Sequence, residues 1–522
     1  MGLIQTLLGT LTSTSFLPIL IATLILTPVI YRLYLHPLAH LPGPLLYCFS
    51  SLPLYTICYL GIESRTLSYY HSKYGKVLRI APNHVSISDG SAIHTIYVAS
   101  GGFMKDARYH NFNLEGTATI FSSTDPAYRD ARAKAVLPMF ASGRVRGSGD
   151  EGGVMKQCID EFILQFKAEK EMAWKAGPKG DANVDILDLS AKLSLDVVTG
   201  YLFNRRFGGL NEHAEDLKKR EQDSNKEKKS SKLSLNPFIF TVVAFGRFSL
   251  FPNWLFKLCY RTSIRLNADE KLFASLVKIG TFVNGVVDDV KPKDDTYPSR
   301  LLAVGISKEE TIKQCKAVMF AGTDSTSVKL ATIIFHIIQN PNVLQRLKQE
   351  ITELGQDPAT DPQTFPYMRA VIREGLRLGV ANSTRLTRVV PPSGFEVNGY
   401  YIPAGVVIGI SPWMVHHNPE LFPEPFKFRP ERWMEDKKGT NGEVDLETDK
   451  RRKEMERDLI PFGTGSRACI ARNLATHQLF MTVRALVESD VLVGAKTVKK
   501  RIEIIEWFNA EIKGHELEIQ WT

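Results

Sequence analysis

The feature that most constrains how this chain folds is an unbroken helical pattern over residues 308–341, KEETIKQCKAVMFAGTDSTSVKLATIIFHIIQNP. Apolar residues recur at three- and four-residue steps, and the pattern ends at Asn-Pro, which is a typical helix stop. Patterns of the same period cover 184–203 and 367–378. These segments predict a mainly helical body in which 308–341 is the longest and central helix.

Strand-like alternation appears in three other places. Residues 74–89 alternate apolar and polar side chains around a Pro-Asn turn, and 395–411 and the C-terminal GHELEIQW show similar patterns. Both ends of the chain therefore contribute to a small β subdomain. The predicted fold class is mainly α with a small β subdomain.

Cysteine usage and charge exclude several classes of protein. The six cysteines include no C-x-x-C pair, so zinc ribbons, thioredoxin-like motifs and a disulfide scaffold find no support. The formal charge of +9 is not concentrated with aromatic residues, and the densest basic run, 218–232, mixes both signs. We therefore expect no nucleic-acid partner.

The N-terminus predicts a membrane anchor. The first 31 residues contain no charged residue or histidine, and FLPILIATLILTPVIYRLYL is long enough to cross a bilayer. The first charge, Arg32, comes only near the C-terminal end of this stretch, which is unlike a cleaved signal peptide and predicts that the following chain lies in the cytoplasm. The alternative is a buried helix. We divide the chain into an anchor (1–35), a proline-rich hinge (36–44) and a catalytic body (45–522).

The segment LIPFGTGSRACIARNLA (459–475) contains the cysteine of greatest interest, Cys469. Within it, GTGSRA has the G-x-G-x-x-A spacing of a dinucleotide-binding turn. That interpretation fails because too few residues follow Gly465 to complete a doubly wound sheet, and a proline interrupts the preceding strand.

A second interpretation makes this loop a cradle for a large planar ligand. Glycines 463 and 465 permit close backbone approach, and Cys469 precedes a helix whose N-terminus would stabilise a thiolate. Arg467 adds positive charge, and Phe462 supplies an aromatic shield. A soft thiolate of this kind suits haem iron. A lone buried cysteine is more often a small hydrophobe, however, so this interpretation needs support from elsewhere in the chain.

Two other motifs supply that support. In REGLR, Glu374 and Arg377 lie on adjacent turns of one helix, and Arg432 of FKFRPERW would complete a Glu–Arg–Arg cluster. The same E-x-x-R spacing recurs at Glu454–Arg457, in a charged run that we interpret as solvated.

The second motif, AGTDST (321–326), places Asp324, Ser325 and Thr326 in the middle of the long helix between apolar flanks. Hydroxyl groups there bond back to the preceding turn and open a local kink. An acid beside an alcohol at a buried position is a plausible proton-delivery pair.

Together these residues resemble the cytochrome P450 haem-thiolate monooxygenases over essentially the whole chain. Phe462, Gly465, Arg467 and Cys469 match the family's F-x-x-G-x-R-x-C-x-G, with Ala471 in place of the last glycine. EGLR, PERW and AGTDST match the family's triad and oxygen-activation segments, with Ser325 where threonine is commoner. The resemblance is greatest to microsomal enzymes of filamentous fungi that tailor secondary metabolites.

The resemblance implies a cytochrome P450 fold behind one transmembrane helix. It implies haem b with Cys469 as the axial thiolate, and propionate contacts from Arg388 and from one of Arg129, Arg132 and Lys134, of which Arg132 is our choice. Asp324, Ser325 and Thr326 are the expected catalytic residues.

The partners implied by the resemblance are O₂, a small lipophilic substrate, and NADPH-cytochrome P450 reductase, which supplies electrons. Substrate would enter an apolar pocket drawn from 103–122, the region after 200 and 379–386, and would be hydroxylated, epoxidised or oxidised in several steps. The expected location is the endoplasmic reticulum membrane, single-pass, with the catalytic domain facing the cytosol.

Three alternatives remain open at this point. A haem-thiolate isomerase or dehydratase that does not use O₂ would be expected to lose the acid–alcohol pair. A non-catalytic haem sensor would need no relay. A cysteine-nucleophile hydrolase would need a nearby base, but His477 lies eight residues beyond Cys469 in the same helix.

Overall fold

The structure of this chain is a computed structural model that describes residues 16–176, 183–222, 230–267, 269–355, 357, 360–434 and 446–521. Residues 1–15 of the predicted anchor and 223–229 of the basic run lie outside the described residues.

Helices dominate the described chain, as predicted. In chain order they are α1 (Phe16–Ile30), α2 (Leu45–Phe49), α3 (Leu52–Tyr59), α4 (Glu63–Tyr74), α5 (Pro126–Val136), α6 (Ser142–Gly147), α7 (Val154–Ala176), α8 (Ile186–Phe203), α9 (Gly209–Gln222), α10 (Asn236–Phe245), α11 (Asn253–Asn267), α12 (Glu270–Asp288), α13 (Tyr297–Ala303), α14 (Lys308–Gln339), α15 (Pro341–Leu354), α16 (Pro366–Leu378), α17 (Pro412–His416), α18 (Leu446–Asp458) and α19 (Arg472–Glu488).

The central helix is α14, whose 32 residues confirm the long helical pattern. Its first turn is capped by Ser307, whose hydroxyl accepts a hydrogen bond from the backbone N–H of Glu310. The helix packs along α8, and a Cβ atom on Gly322 would lie 2.8 Å from a methyl group of Val198. Gly322 therefore lets the two helices approach closely, which places the middle of α14 in the main core.

The strands are short and divide into four small sheets. They are β1 (Val77–Ala81), β2 (His84–Ile87), β3 (Val184–Asp185), β4 (Arg388–Val389), β5 (Phe395–Val397), β6 (Tyr400–Ile402), β7 (Val407–Gly409), β8 (Ala495–Thr497), β9 (Ile504–Ile505), β10 (Glu511–Ile512) and β11 (Glu518–Trp521). One sheet has the order β1-β2-β7-β4, with β2 and β7 parallel; β3-β11-β8, β5-β6 and β9-β10 form the others.

The expectation of one β subdomain built from both chain ends needs correction. The N-terminal strands pair with β7, whereas the last strand, β11, pairs with β3 and β8 in a separate sheet. Alternation marks where a strand lies, but its partner is set by tertiary packing that the local pattern does not record.

The N-terminal segment contains one helix that is long and apolar enough to cross a membrane, Leu17–Leu35. The connector that follows is packed against the body: Leu38 and Leu41 are buried, and the carbonyl of Pro42 accepts a hydrogen bond of 2.8 Å from the N–H of Arg79. The segment predicted to be a hinge is therefore fixed to the first sheet by burial as well as stiffened by prolines.

The apolar segment 238–256 divides between core and surface. Phe238, Ile239 and Val243 of α10 belong to the main hydrophobic core, whereas Trp254 at the start of α11 is 69% exposed.

Candidate active site

The Cys469 loop lies between a 3₁₀ turn at Gly465–Arg467 and the start of α19. The N–H of Cys469 donates a hydrogen bond of 2.8 Å to the carbonyl of Phe462, which closes the loop. Gly465 has φ +71°, and a Cβ atom there would lie 1.7 Å from the Tyr97 carbonyl oxygen. The close approach that requires this glycine is thus to the backbone at Tyr97, and it docks the loop on its neighbour.

Cys469 has a large solvent-accessible surface, yet it lies deep enough in the protein that burial raises the pKa of its thiol. We attribute both properties to a position facing an internal cavity. The positive charges of Lys329 and Arg472 and the N–H of Ala471 act in the opposite direction and favour the thiolate. The sequence predicts this role for Arg467 and the helix N-terminus, whereas no sequence motif indicates Lys329.

The face of α14 next to this loop carries the acid–alcohol segment. Ala321 is exposed and Ser325 half-buried although both lie in the middle of a largely buried helix, which indicates that this face of α14 borders an internal cavity. Contacts from Lys329 to Pro461 and Phe462 join α14 directly to the Cys469 loop. We therefore infer that one cavity lies between the loop and this face of α14.

Asp324 and Ser325 are held in defined hydrogen bonds. The Asp324 carboxylate accepts a hydrogen bond of 2.9 Å from the side-chain amide of Asn509, in the C-terminal loop. Burial raises the pKa of Asp324 to about 6, and the Asn509 amide acts against this rise. Ser325 donates back to the Ala321 carbonyl at 2.8 Å, and Thr326 is buried; α14 stays helical throughout this stretch.

The structure brings Glu374, Arg377 and Arg432 together in a buried cluster. Arg377 donates two hydrogen bonds to the Glu374 carboxylate, at 3.0 and 2.8 Å, and Arg432 donates one at 3.0 Å. Trp433 adds its indole N–H at 2.9 Å. Burial opposes ionisation of Glu374, but these donors and charges outweigh it and hold the pKa of the carboxyl below its usual value. The cluster fixes α16 to the 429–433 segment.

A second cluster consists of four cations, Lys105, Arg129, Arg388 and Arg467. Burial and the charges of the three arginines lower the pKa of Lys105, and burial and the charges of Arg129 and Arg388 lower that of Arg467. Within the described ranges, no ion pair joins Lys105, Arg388 or Arg467 to a carboxylate, and Nη1 of Arg467 is buried without a partner. Arg129 pairs with the half-exposed carboxylate of Asp130, so most of the positive charge in the cluster is uncompensated, and the arrangement favours binding of a ligand with more than one negative charge.

Arg132, our choice for this role, lies elsewhere. Its guanidinium makes a bidentate ion pair with Glu310 and covers the ring of Tyr128. The neighbouring Arg129 is the residue coupled to Lys105 and Arg467. The structure favours Arg129 over Arg132, because Arg132 is held in a bidentate pair with the largely buried carboxylate of Glu310, whereas Arg129 makes a single bond to the half-exposed Asp130 and stays coupled to the other cations. Spacing alone did not reveal which turn of α5 faces the cluster.

The donor set fits haem b. The cofactor requires a soft axial ligand, a planar space and cations for two propionate groups. Cys469 would supply the thiolate, the inferred cavity between α14 and the loop would supply the space, and the cations would come from Lys105, Arg129, Arg388 and Arg467.

Four aromatic side chains form a further cluster beside the acid–alcohol pair. The rings of Phe112 and Phe508 have centroids 4.5 Å apart, and Tyr109 and Phe121 pack against both. Phe508 immediately precedes Asn509, the partner of Asp324. The predicted pocket segment 103–122 supplies three of the rings; the contribution of the C-terminal loop was not anticipated, since it has no sequence motif.

Comparison with known proteins gives a consistent result. Residues 41–489 match the family model described as cytochrome P450. The chain is 47% identical over 520 residues to cytochrome P450 monooxygenase mfmF of Annulohypoxylon moriforme, covering 97% of this chain and 100% of that protein. It is 29% identical to cytochrome P450 monooxygenase aneF of Aspergillus aculeatus, over 88% of this chain and 90% of the relative. It is 27% identical to averantin hydroxylase of Dothistroma septosporum, over 87% of this chain and 80% of that relative.

Proposed function

Because the chain belongs to the cytochrome P450 family and is a monooxygenase of that family, we propose that it inserts one oxygen atom of O₂ into a small lipophilic substrate in fungal secondary metabolism. The observation that carries this proposal is the joining of the Cys469 loop to the acid–alcohol face of α14 through Lys329. A thiolate ligand on one side of a cavity and a proton-delivery pair on the other form the arrangement that oxygen activation requires.

The residues that would hold haem b are those of the Cys469 loop and the four-cation cluster. Cys469 would supply the thiolate that binds the iron, Phe462 would shield it, and Gly465 lets the loop dock on Tyr97. The two propionates would be neutralised by four cations, Arg388, Arg467, Arg129 and Lys105. When bound, the haem supplies the oxygen activation and the oxidising power, and the protein supplies orientation and electrostatics.

Asp324 and Ser325 are the proposed proton-handling residues. A carboxyl group whose pKa is about 6 changes its protonation state close to neutral pH, which suits a group that accepts and releases protons. The Asn509 amide fixes the direction in which the Asp324 carboxylate points. The half-buried hydroxyl of Ser325 donates to the Ala321 carbonyl, and Thr326 packs behind it in the core.

The substrate is proposed to be lipophilic because the rings of Tyr109, Phe112, Phe121 and Phe508 lie beside this pair. Aromatic walls bind apolar substrates by burial and by ring stacking. Hydroxylation, epoxidation and multistep oxidation all suit such a site, and the relative named averantin hydroxylase favours hydroxylation among them.

Electrons are proposed to come from NADPH through NADPH-cytochrome P450 reductase. Arg472 is exposed at the start of α19, and the basic run of α18 lies on the surface, so both are placed to attract an acidic partner. The apolar helix Leu17–Leu35 supports single-pass anchoring in the endoplasmic reticulum membrane, with the body in the cytosol.

The carbon monoxide spectrum of the reduced protein tests the proposed haem ligand. We expect a strongly red-shifted Soret band that is lost in Cys469→Ala. Cys315→Ala is the matched control, because it removes another thiol, buried on the central helix. An unshifted band in the wild-type protein would refute the ligand. Product formation with reductase then separates a monooxygenase from an isomerase or dehydratase, which needs no O₂, and from a sensor, which consumes NADPH without product.

A further inference from the structure

Lys329 is a buried lysine in the second half of α14, with 4% of its surface exposed. Its ammonium donates a hydrogen bond of 3.2 Å to the carbonyl of Pro461 and lies 4.2 Å from the centre of the Phe462 ring. Both partners precede Cys469 in the loop that carries the thiol. A charge placed in the core is costly unless nearby groups compensate it, so these contacts need an explanation.

No carboxylate forms an ion pair with Lys329 among the residues that the structure describes. The titratable groups that act on it electrostatically are Cys469 and Asp324, both of which favour the ammonium form. Burial lowers the pKa of His416, and the positive charge of Lys329 contributes to this lowering. Burial lowers the pKa of Lys329 to about 8, which leaves the ammonium as the main form at neutral pH.

Lys192 provides an internal comparison. It is equally buried in a long helix, but its ammonium pairs with the Asp188 carboxylate at 2.9 Å and donates to the Ser231 carbonyl at 2.8 Å. Lys192 thus has its own carboxylate partner. Lys329 has no such partner among the described residues, and the group that most favours its ammonium form is Cys469, whose thiolate would bind the iron.

We propose that Lys329 is a positioning residue for the Cys469 loop, and that its ammonium places a fixed positive charge on the thiolate side of the cavity. The hydrogen bond to Pro461 and the contact with Phe462 hold the loop against α14. The charge stabilises the Cys469 thiolate, and it favours reduction of the haem iron, because reduction adds negative charge to a site of low dielectric constant. The inference rests on the haem ligation proposed above.

The test uses the full-length haem-loaded protein and two neutral variants, Lys329→Met and Lys329→Gln. The readout is the one-electron reduction potential, measured by spectroelectrochemistry, which a purely structural role would not move. We expect each variant to lower the equilibrium constant for reduction about tenfold, equivalent to a fall of about 59 mV for one electron. We also expect a larger fraction of carbonyl complex with an unshifted Soret band.

Lys192→Met is the matched control, and we expect its potential to equal that of the wild type although its stability falls. Glutamine retains a donor for Pro461, so a wild-type potential in Lys329→Gln would overturn the electrostatic role. If Lys329→Met does not fold, the glutamine variant decides the question. An unshifted carbonyl band in the wild-type protein would instead refute the proposed haem ligation itself, so the two failures are distinguishable.

Discussion

Replacing Glu374 by glutamine is the sharpest test of what holds the body together. The carboxylate of Glu374 is fully buried and accepts hydrogen bonds from the side chains of Arg377, Arg432 and Trp433 and from the backbone N–H of Arg429. Glutamine keeps one acceptor oxygen but turns the other into an NH₂ group that faces donors. It also leaves two buried guanidinium groups without their counter-charge.

The expected cost follows from breaking a buried ion pair on one side, which destabilises proteins by about 3–5 kcal/mol. That is a large part of a typical folding free energy of about 5–15 kcal/mol. An unfolding entropy of about 2.1 cal/mol/K per residue gives roughly 1 kcal/mol/K for 522 residues. The melting temperature should therefore fall by about 3–5 °C if the body unfolds as one unit.

Glu454→Gln is the matched control, because Glu454 belongs to the second E-x-x-R pair of the chain. Its partner by spacing, Arg457, pairs with Asp458 instead. We expect Glu454→Gln to change stability by less than about 0.5 kcal/mol. Thermal melts followed by circular dichroism and by haem absorbance provide the measurement. Equal melting temperatures for the two variants would refute the reasoning.

The dependence on pH supplies a second check on the same variant. The folded-state pKa of Glu374 lies below its unfolded value, so its stabilisation is fully present above the unfolded pKa of about 4.3. That stabilisation is lost as the pH falls through the folded pKa. The stability gap between the wild type and Glu374→Gln should therefore narrow below about pH 4.3 and stay constant at neutral pH.

Three further predictions concern the cofactor, the proton path and the anchor. Arg129→Gln should speed haem transfer to apomyoglobin about tenfold or more, because a charge-assisted hydrogen bond is lost. Arg132→Gln should lower the melting temperature but leave the rate of haem transfer within about threefold of the wild type. Equal rates of haem loss in the two variants would contradict the assignment of Arg129 to the cation cluster. Asn509→Leu removes the hydrogen-bond donor that lowers the pKa of Asp324. The acidic limb of the pH–rate profile should therefore move about one pH unit upward from about 6. An unmoved limb would show that turnover does not require ionised Asp324. Deleting residues 1–30 should release the protein from vesicles at an unchanged melting temperature, because it keeps Arg32, which bonds to Phe49 and to buried Arg79. Deleting 1–44 also removes these bonds and buried Leu38 and Leu41, each worth about 2–5 kcal/mol; equal melting temperatures would show that the connector adds no stability.

Features that follow from the local spacing of apolar residues could be predicted from the sequence. The bounds of α14 and α16 follow from apolar spacing and from prolines at their ends, and Glu374 and Arg377 share a helix face because they are three residues apart. Arg432 was found because PERW resembles a known motif, since nothing in its local pattern indicates a contact with α16.

Features that depend on packing between distant segments were not predictable. Asn509 reaches Asp324 across 185 residues of sequence, and Lys329 reaches Pro461 across 132. Periodicity places Lys329 on a helix but does not show which element its ammonium meets. The sequence predicts that the helix N-terminus stabilises the Cys469 thiolate, and the N–H of Ala471 acts in that direction, but burial is the largest influence on the pKa of the thiol. Burial depends on the whole assembled core, and no local pattern measures it.

The two charged features beside the Cys469 loop act on opposite parts of the same ligand. Arg467 is coupled electrostatically to Arg388, Arg129 and Lys105, and burial together with the mutual repulsion of these cations lowers the pKa values of Lys105 and Arg467. A ligand with two carboxylates removes that repulsion, so binding it stabilises the folded loop by mass action. At the other end of the loop, the proposed role of Lys329 is to compensate the thiolate and not the carboxylates. Each anionic part of a haem-thiolate centre therefore meets its own cation, and loop order and cofactor binding are thermodynamically linked.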